Sequence, residues 1–139
     1  KPANVFVASF IGTPQMNLVE ADLRSFGDGM ASVVLAGQEV ALGVDPAVSR
    51  LKPSKVTVGI RPRAFTVSQD KARDTIEAQA ELIEPMGAET LIHARTGLGS
   101  DIRVVVPREK RVKVGEAMHL RPDPRQTHVF GEDGRAVRA

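Results

Sequence analysis

The feature that most constrains this chain is a short apolar run ending in Arg-Pro, which occurs twice. Val56 to Phe65 reads VTVGIRPRAF, and Ala117 to Pro122 reads AMHLRP. A similar apolar run lies upstream of each phrase: Ser32 to Leu35 before the first, and Arg103 to Val106 before the second. We therefore predict two similar β modules, because a unit written twice along one chain builds the same local structure twice.

Turn signals along the chain predict many short strands. Short apolar runs alternate with Gly, Pro and Asp-Gly phrases, and the longest hairpin bends at Pro85 to Ala88. Roughly ten strands at this spacing favour a mainly all-β chain folded into small closed or nearly closed barrels. A short helix is predicted at Asn4 to Ile11, where the apolar spacing has a helical component; a strand is the alternative.

Composition is typical of a folded globular protein, with 42% hydrophobic and 26% charged residues. The 19 Lys and Arg nearly balance the 17 Asp and Glu, which argues against a dedicated nucleic-acid binder. Five Phe, with no Tyr or Trp, leave little material for a base-stacking platform. The lack of Cys excludes disulfides, thiolate metal sites and a Cys nucleophile.

The usual catalytic and cofactor motifs are missing. His93, His119 and His128 lack the close spacing of strong metal-binding motifs. The nearest phrase to a phosphate loop is Gly97 to Ser100, which has no Lys and is better explained as a hairpin turn. No Ser stands in a nucleophile-elbow phrase. We therefore predict that this chain is not an enzyme and holds no metal or cofactor.

Two sets of residues remain as candidate sites. The first is a group of arginines that follow the strands and would form a small anion site if they converged. The favoured interpretation is that they are solvated or paired with glutamates on neighbouring strands. These arginines are Arg61, Arg63, Arg121 and Arg125, and the glutamates are Glu77, Glu81, Glu84 and Glu89.

The second candidate is the hairpin bend. Glu84 and Glu89 flank it as solvating residues, while Met86 lies beside Gly87 and has no folding reason to be apolar at an exposed tip. We predict that Glu84, Met86, Gly87 and Glu89 contact a partner or a second copy of the chain.

Four phrases, taken in order, resemble a known family. They are FVASFIGTPQMN, VGIRPRAF, ELIEPMGAETLIHAR and HVFGEDGRAVR. In this order they are similar to the carboxyl-terminal regulatory region of the maltose-type ATP-binding subunits of bacterial ABC importers for sugars, polyols and glycerol phosphate. The resemblance covers essentially the whole chain.

This resemblance implies a tandem OB-like or TOBE-type β region that follows a nucleotide-binding domain. Residues 1–15 are then expected to connect to that domain, and residues 16–139 to form the regulatory region from two similar interleaved modules, about 16–68 and 69–139. The family's nucleotide-handling motifs lie upstream of this region. ATP and magnesium are therefore expected only in the other domain, and this chain by itself is expected to be non-catalytic.

The resemblance also implies partners and a location. The expected partners are a second copy of the chain, membrane permease subunits contacted through the nucleotide-binding domain, and in some members a regulatory protein; no nucleic acid is expected. The expected location is cytoplasmic, peripheral to the inner face of the cell membrane as part of a transporter complex.

Few residues carry over from the family motifs. In the first phrase they are Gly12, Pro14 and Asn17, in the second Gly59, Arg61 and Pro62, and in the hairpin Gly87 with Glu89 and Thr90. The family commonly has an acidic residue directly after GIRP, whereas this chain has Arg63.

Two rival functions stay open at this level. Arginines after each strand, together with the use of related TOBE modules for anions, suggest a small-ligand or oxyanion-binding barrel. An oligonucleotide-binding barrel is the third reading, and it predicts binding that weakens steeply with salt.

Overall fold

A computed structural model describes residues 15–27, 30–35, 37–43, 55–97 and 99–131. Within these ranges the chain is all β apart from two single-turn 3-10 helices. The predicted all-β architecture is confirmed. The predicted helix at Asn4 to Ile11 lies outside the described residues, as do Gly12 and Pro14.

In the part of the chain that the structure describes, ten strands are arranged in two antiparallel sheets. In chain order they are β1 Asn17–Gly27, β2 Met30–Leu35, β3 Gln38–Gly43, β4 Lys55–Ile60, β5 Phe65–Ser68, β6 Ile76–Pro85, β7 Glu89–Thr96, β8 Asp101–Pro107, β9 Ala117–Pro122 and β10 Thr127–Phe130. The first sheet has the order β10-β4-β1-β2-β3, and the second has the order β5-β9-β6-β7-β8.

The two sheets have the same topology. In each, three consecutive strands form a meander, a fourth pairs with the first strand of the meander, and a fifth pairs with the fourth. The fifth strand comes from the other half of the chain in both cases, since β10 completes the first sheet and β5 completes the second. Each half of the chain thus contributes one strand to the sheet of the other half.

Two crossovers make the exchange. The first crossover, the 3-10 helix Pro62–Ala64, leads from β4 to β5, and the second crossover, Pro124–Gln126, leads from β9 to β10. Both place Pro in the first turn, where its missing N–H costs nothing and its fixed φ suits the helix.

The strand registers give the exact form of the internal repeat and correct its alignment. Phe65 pairs with Pro122, and Thr127 pairs with Ile60, so Pro62 matches Pro124 and not Pro122. The Arg-Pro of AMHLRP is thus not the counterpart of the Arg-Pro of VGIRP. Matching the two phrases by sequence placed Pro62 against Pro122, two residues away from its structural counterpart Pro124. The error arose because both strands end near a Pro.

A second alignment was also wrong. The topology matches β2 with β7 and β3 with β8, whereas the apolar pattern paired the β2 segment with β8. Neighbouring buried strands carry similar apolar runs, so the pattern alone does not distinguish them.

The central strands match in detail. Ala21 in β1 pairs with Leu35 and Val56, and Ala78 in β6 pairs with Thr96 and Met118. Each central strand then has a bulge at the corresponding point, between Leu23 and Ser25 in β1 and between Ala80 and Leu82 in β6. Bulges increase local twist, which helps a short sheet to curl.

One hydrophobic core is shared by both sheets. Alternate residues along the strands face it, including Val33 and Val58 from the first sheet and Ile92 and Leu120 from the second, and these are fully buried. Burying one such side chain stabilises the fold by about 1.5–3 kcal/mol. The two halves therefore depend on each other for a common interior.

Candidate partner-contact site

The β6–β7 hairpin is the longest in the described chain, as the sequence predicted, and its tip is exposed. Met86 is 41% exposed, and its backbone N–H donates to the carbonyl of Glu89 over 2.8 Å, which closes the turn. Gly87 has φ of 86°, a conformation that favours glycine because it has no Cβ. The apolar Met86 side chain is thus held on the surface by a well-defined turn.

A second apolar residue lies on the outer face of this hairpin. Leu82 is 50% exposed and stands opposite His93. Ala80 faces the core, but the bulge after it reverses the alternation, so Leu82 points outward and Ile83 stands opposite the buried Ile92. Sequence reasoning missed Leu82 because a strict alternation from Ala80 places it inside.

Two pairs of polar side chains lie beside these apolar residues. The ring Nε2 of His93 lies 2.9 Å from Oε1 of Glu84. Glu89 accepts hydrogen bonds from Nη2 of Arg63 at 2.9 Å and from Nε of Arg63 at 3.2 Å. These bonds hold the pKa of the Glu89 carboxyl below its ordinary value and raise the pKa of Arg63.

The Arg63–Glu89 pair links the first crossover to the tip of the hairpin. Arg63, directly after the GIRP phrase, has its acidic partner on β7. Both side chains are about half exposed, so solvent screens the pair and its main effect is to fix position. Another bond, from the N–H of Arg108 to the carbonyl of Ala88 over 3.0 Å, braces the same turn from β8.

The residues of the predicted site are therefore neighbours on one hairpin. Glu84, Met86, Gly87 and Glu89 all lie at or beside its tip, with Leu82 on its outer face. The arrangement offers apolar side chains framed by carboxylates, an imidazole and a guanidinium. Such a surface suits contact with another protein, and a partner-contact role stays a prediction.

Asn17 has a structural role that joins the two sheets. Its buried carboxamide donates to the carbonyl of Arg103 at 2.8 Å and to that of Ile60 at 3.1 Å, and it accepts from the N–H of Arg103 at 2.8 Å. It therefore covers part of the outer edge of β8, which would otherwise present unpaired backbone groups. Removing these bonds would cost about 1–3 kcal/mol.

Gly59 is required by packing. A Cβ placed there would lie 2.6 Å from Sδ of Met16 and 2.9 Å from Cε2 of Phe130. These two side chains, with Leu18, form a small apolar cluster apart from the shared core. Phe130 follows the second crossover, so Gly59 allows the exchanged strand to pack closely against β4.

Pro62 is buried and begins the first crossover, while Arg61 precedes it in an extended conformation and is half-buried. The Arg-Pro phrase therefore marks a strand end, because Pro cannot donate a ladder hydrogen bond.

Two of the four candidate arginines have acidic side-chain partners. Arg63 pairs with Glu89, one of the glutamates expected from the sequence, and Arg121 pairs with Asp74 at 3.0 Å, which was not expected. Among the described residues no group of three or more His, Asp or Glu is placed to hold a metal ion, and no helix is long and apolar enough to cross a membrane.

Comparison with known proteins decides the family. The model of the TOBE domain matches residues 58–130, which run from β4 to the end of β10. The chain belongs to the TOBE domain family. This match includes both crossovers and the whole second sheet.

Curated relatives of this TOBE chain are ATP-binding proteins of importers. It is 35% identical over 142 residues to the sn-glycerol-3-phosphate import ATP-binding protein UgpC of Bordetella avium, with 99% of this chain and 37% of that protein covered. It is 34% identical over 146 residues to the diacetylchitobiose uptake system ATP-binding protein MsiK of Streptomyces coelicolor, with 94% and 38% covered. The chain thus spans a little over a third of these relatives.

A solved structure shares the fold of this TOBE chain. The cytoplasmic molybdate-binding protein ModG matches with a TM-score of 0.70 and 15% identity, covering 81% of this chain and 94% of that one. The likeness supports the OB-like architecture that the sequence predicted. At this identity it concerns the fold alone.

Proposed function

We propose that this chain is the regulatory and dimerisation domain of the ATP-binding subunit of an ABC importer for sugars or related solutes, and that it is non-catalytic by itself. The observation that carries the proposal is the match of nearly the whole chain, at 35% identity, to part of a glycerol-phosphate import ATP-binding protein. In this proposal ATP and magnesium bind in another domain of the same polypeptide. The subunit then lies at the inner face of the cell membrane, against permease subunits.

The exposed hairpin supports a partner-contact role. Leu82 and Met86 are two of the three large apolar residues exposed within the described residues, and both belong to the β6–β7 hairpin. Because the hairpin is braced by Arg63 and by the backbone of Arg108, its surface is already shaped before a partner arrives. We propose that a second copy of the chain, or a regulatory protein, contacts this surface.

The oxyanion-binding alternative has weaker support. ModG is described as molybdate-binding, but it resembles this chain in fold only. An anion would have to displace Glu89 from Arg63 and Asp74 from Arg121. We therefore keep the importer domain as the proposed function.

Sedimentation of the 139-residue chain over a concentration series tests the dimer. We expect reversible self-association that weakens when Leu82 and Met86 are both changed to Asp, since a buried carboxylate at the contact is costly. Val114→Asp is the matched control, because Val114 is also exposed, at 65%, but lies in the β8–β9 loop. A monomer at every concentration would contradict self-association, and equal weakening by the control would contradict the hairpin contact.

The importer assignment has a separate test. The complete polypeptide is expected to carry a GxxxxGK[ST] phosphate loop upstream of these residues. Its absence from the reading frame would sink the assignment whatever sedimentation shows.

A further inference from the structure

A side-chain clip covers part of one central strand. The carboxamide of Gln38, at the start of β3, donates to the carbonyl of Glu77 over 2.9 Å and accepts from the N–H of Glu77 over 2.8 Å. The carboxamide donates and accepts on one side, as the N–H and C=O of one residue of a paired strand do, so this clip replaces one residue of an added strand on the edge of β6. We call this pair of bonds the Gln38 clip.

The internal repeat identifies the corresponding place on β1. Since Ala21 matches Ala78, Glu20 matches Glu77. Leu35 likewise matches Thr96, because they pair with Ala21 and Ala78. Gln38 pairs with Leu35, and the carbonyl of Ser100 accepts from the N–H of Thr96, so Ser100 matches Gln38. The Ser side chain ends in a hydroxyl one atom beyond Cβ, so it is too short to reach across as the Gln carboxamide does.

A groove lies at this place, which we call the β1 groove. It has a volume of about 600 Å³ and is lined by the β1 residues 18–22 together with Lys55, Ser100 and Asp101. The matching groove on β6, beside the Gln38 clip, has only about 340 Å³. The groove on β1 is larger, as expected where the short side chain of Ser100 stands in place of the longer side chain of Gln38.

The charge of the β1 groove is negative. Among the described residues that line it, Glu20, Asp22 and Asp101 are acidic, and Lys55 is the one basic residue. Asp101 also lies 3.4 Å from Arg95, and its side chain is 79% exposed, so its carboxylate remains accessible. An acidic groove beside a strand edge favours an extended segment with basic side chains over an anion or a nucleic acid.

We propose that the β1 groove binds an extended, basic peptide segment of a partner protein. One residue of that segment, through its own N–H and C=O, takes against the backbone of Glu20 the place that the Gln38 carboxamide takes against Glu77. Lysine or arginine side chains on the segment lie beside Glu20 and Asp22. This is strand addition at a sheet edge, with main-chain hydrogen bonds for affinity and charge for specificity. It goes beyond the proposed function and does not rest on it.

Titration of the 139-residue chain with a short capped peptide, lysine at alternate positions, tests the groove. We expect saturable binding that falls about tenfold when the central peptide nitrogen is methylated, the loss expected for one or two hydrogen bonds. A peptide with glutamate in place of lysine is expected to bind far more weakly.

Two matched variants locate the binding. Ser100→Gln should install a clip over Glu20 and abolish binding, while Gln38→Ser should open the matching place on β6 and leave the β1 groove intact. Thermal unfolding of both variants checks that they fold.

Three results would overturn the proposal. One is binding that is indifferent to N-methylation, and another is binding that survives Ser100→Gln in a folded protein. The third is binding that appears only after residues 1–14 are deleted, which would assign the groove to a segment of this chain and not to a partner.

Discussion

The two crossovers reach the same backbone conformation by different means. In the first, Pro62 and Ala64 are buried and no side chain caps the turn. In the second, none of the three helical residues is buried, and Asp123 caps the turn by accepting from the N–H of Arg125 at 2.9 Å. One crossover is therefore stabilised mainly by packing and the other mainly by local hydrogen bonds. In this internal repeat the backbone geometry of the two crossovers is the same, whereas the interactions that stabilise that geometry differ.

A bulky residue at Gly59 should give the largest effect, because β4, which leads into the packed crossover, has no room for a side chain there. We expect Gly59→Val to lower the free energy of unfolding by about 3 kcal/mol, since the new side chain would overlap Met16 and Phe130. Urea unfolding measures the change.

The control for this prediction is Gly97→Val. A Cβ at Gly97 meets nothing within 4 Å, so we expect a change below about 0.5 kcal/mol. Equal losses at the two glycines would mean that close packing is not what requires Gly59.

Exchanging the matched residues of the crossovers should give an intermediate effect. Ala64 is 4% exposed, so Ala64→Gln would bury a carboxamide without a partner and cost about 1–3 kcal/mol. The reverse change, Gln126→Ala, removes only an exposed bond to Asp123 and should cost less than about 0.5 kcal/mol. Urea unfolding measures both changes in the free energy of unfolding. Equal losses would contradict the view that packing stabilises the first crossover and capping the second.

The smallest expected effect is a pH dependence confined to the second crossover. Hydrogen bonds from the N–H of Arg125 and the side chain of Gln126 hold the pKa of Asp123 below its ordinary value. The cap therefore contributes its stability above the unfolded pKa of about 3.9 and loses it as the pH falls through the lower folded value.

Asp123→Asn isolates this effect, because Asn keeps a side-chain acceptor but does not titrate. We expect the urea midpoint of the native chain to fall more steeply than that of the variant as the pH is lowered below about 4. Parallel pH profiles for the two proteins would show that Asp123 does not act as a titrating cap.

Strands and turns were predictable because their signals are local. The hairpin from Ile76 to Thr96 followed from a Pro-Met-Gly bend between alternating runs, and β4 ended before Pro62 as an X-Pro step requires. The exposed position of Met86 followed from the same turn. Each of these depends on a few neighbouring residues.

Pairing partners were not predictable in the same way. The ion pair of Arg121 with Asp74 and the outward turn of Leu82 both depend on register, which a bulge alters without a clear sequence signal. The Gln38 clip joins residues that are far apart in the chain and has no local pattern at all.

The sequence by itself determined the all-β class, most strand positions and the existence of a repeat, because alternation, Gly and Pro act over a few residues. The tertiary structure alone decided the correct alignment of that repeat and the exchange of β5 and β10 between the sheets. It also decided the contrast between the Gln38 clip and the open β1 groove. These features depend on which strand edges meet, and that is set by packing both halves around one shared core.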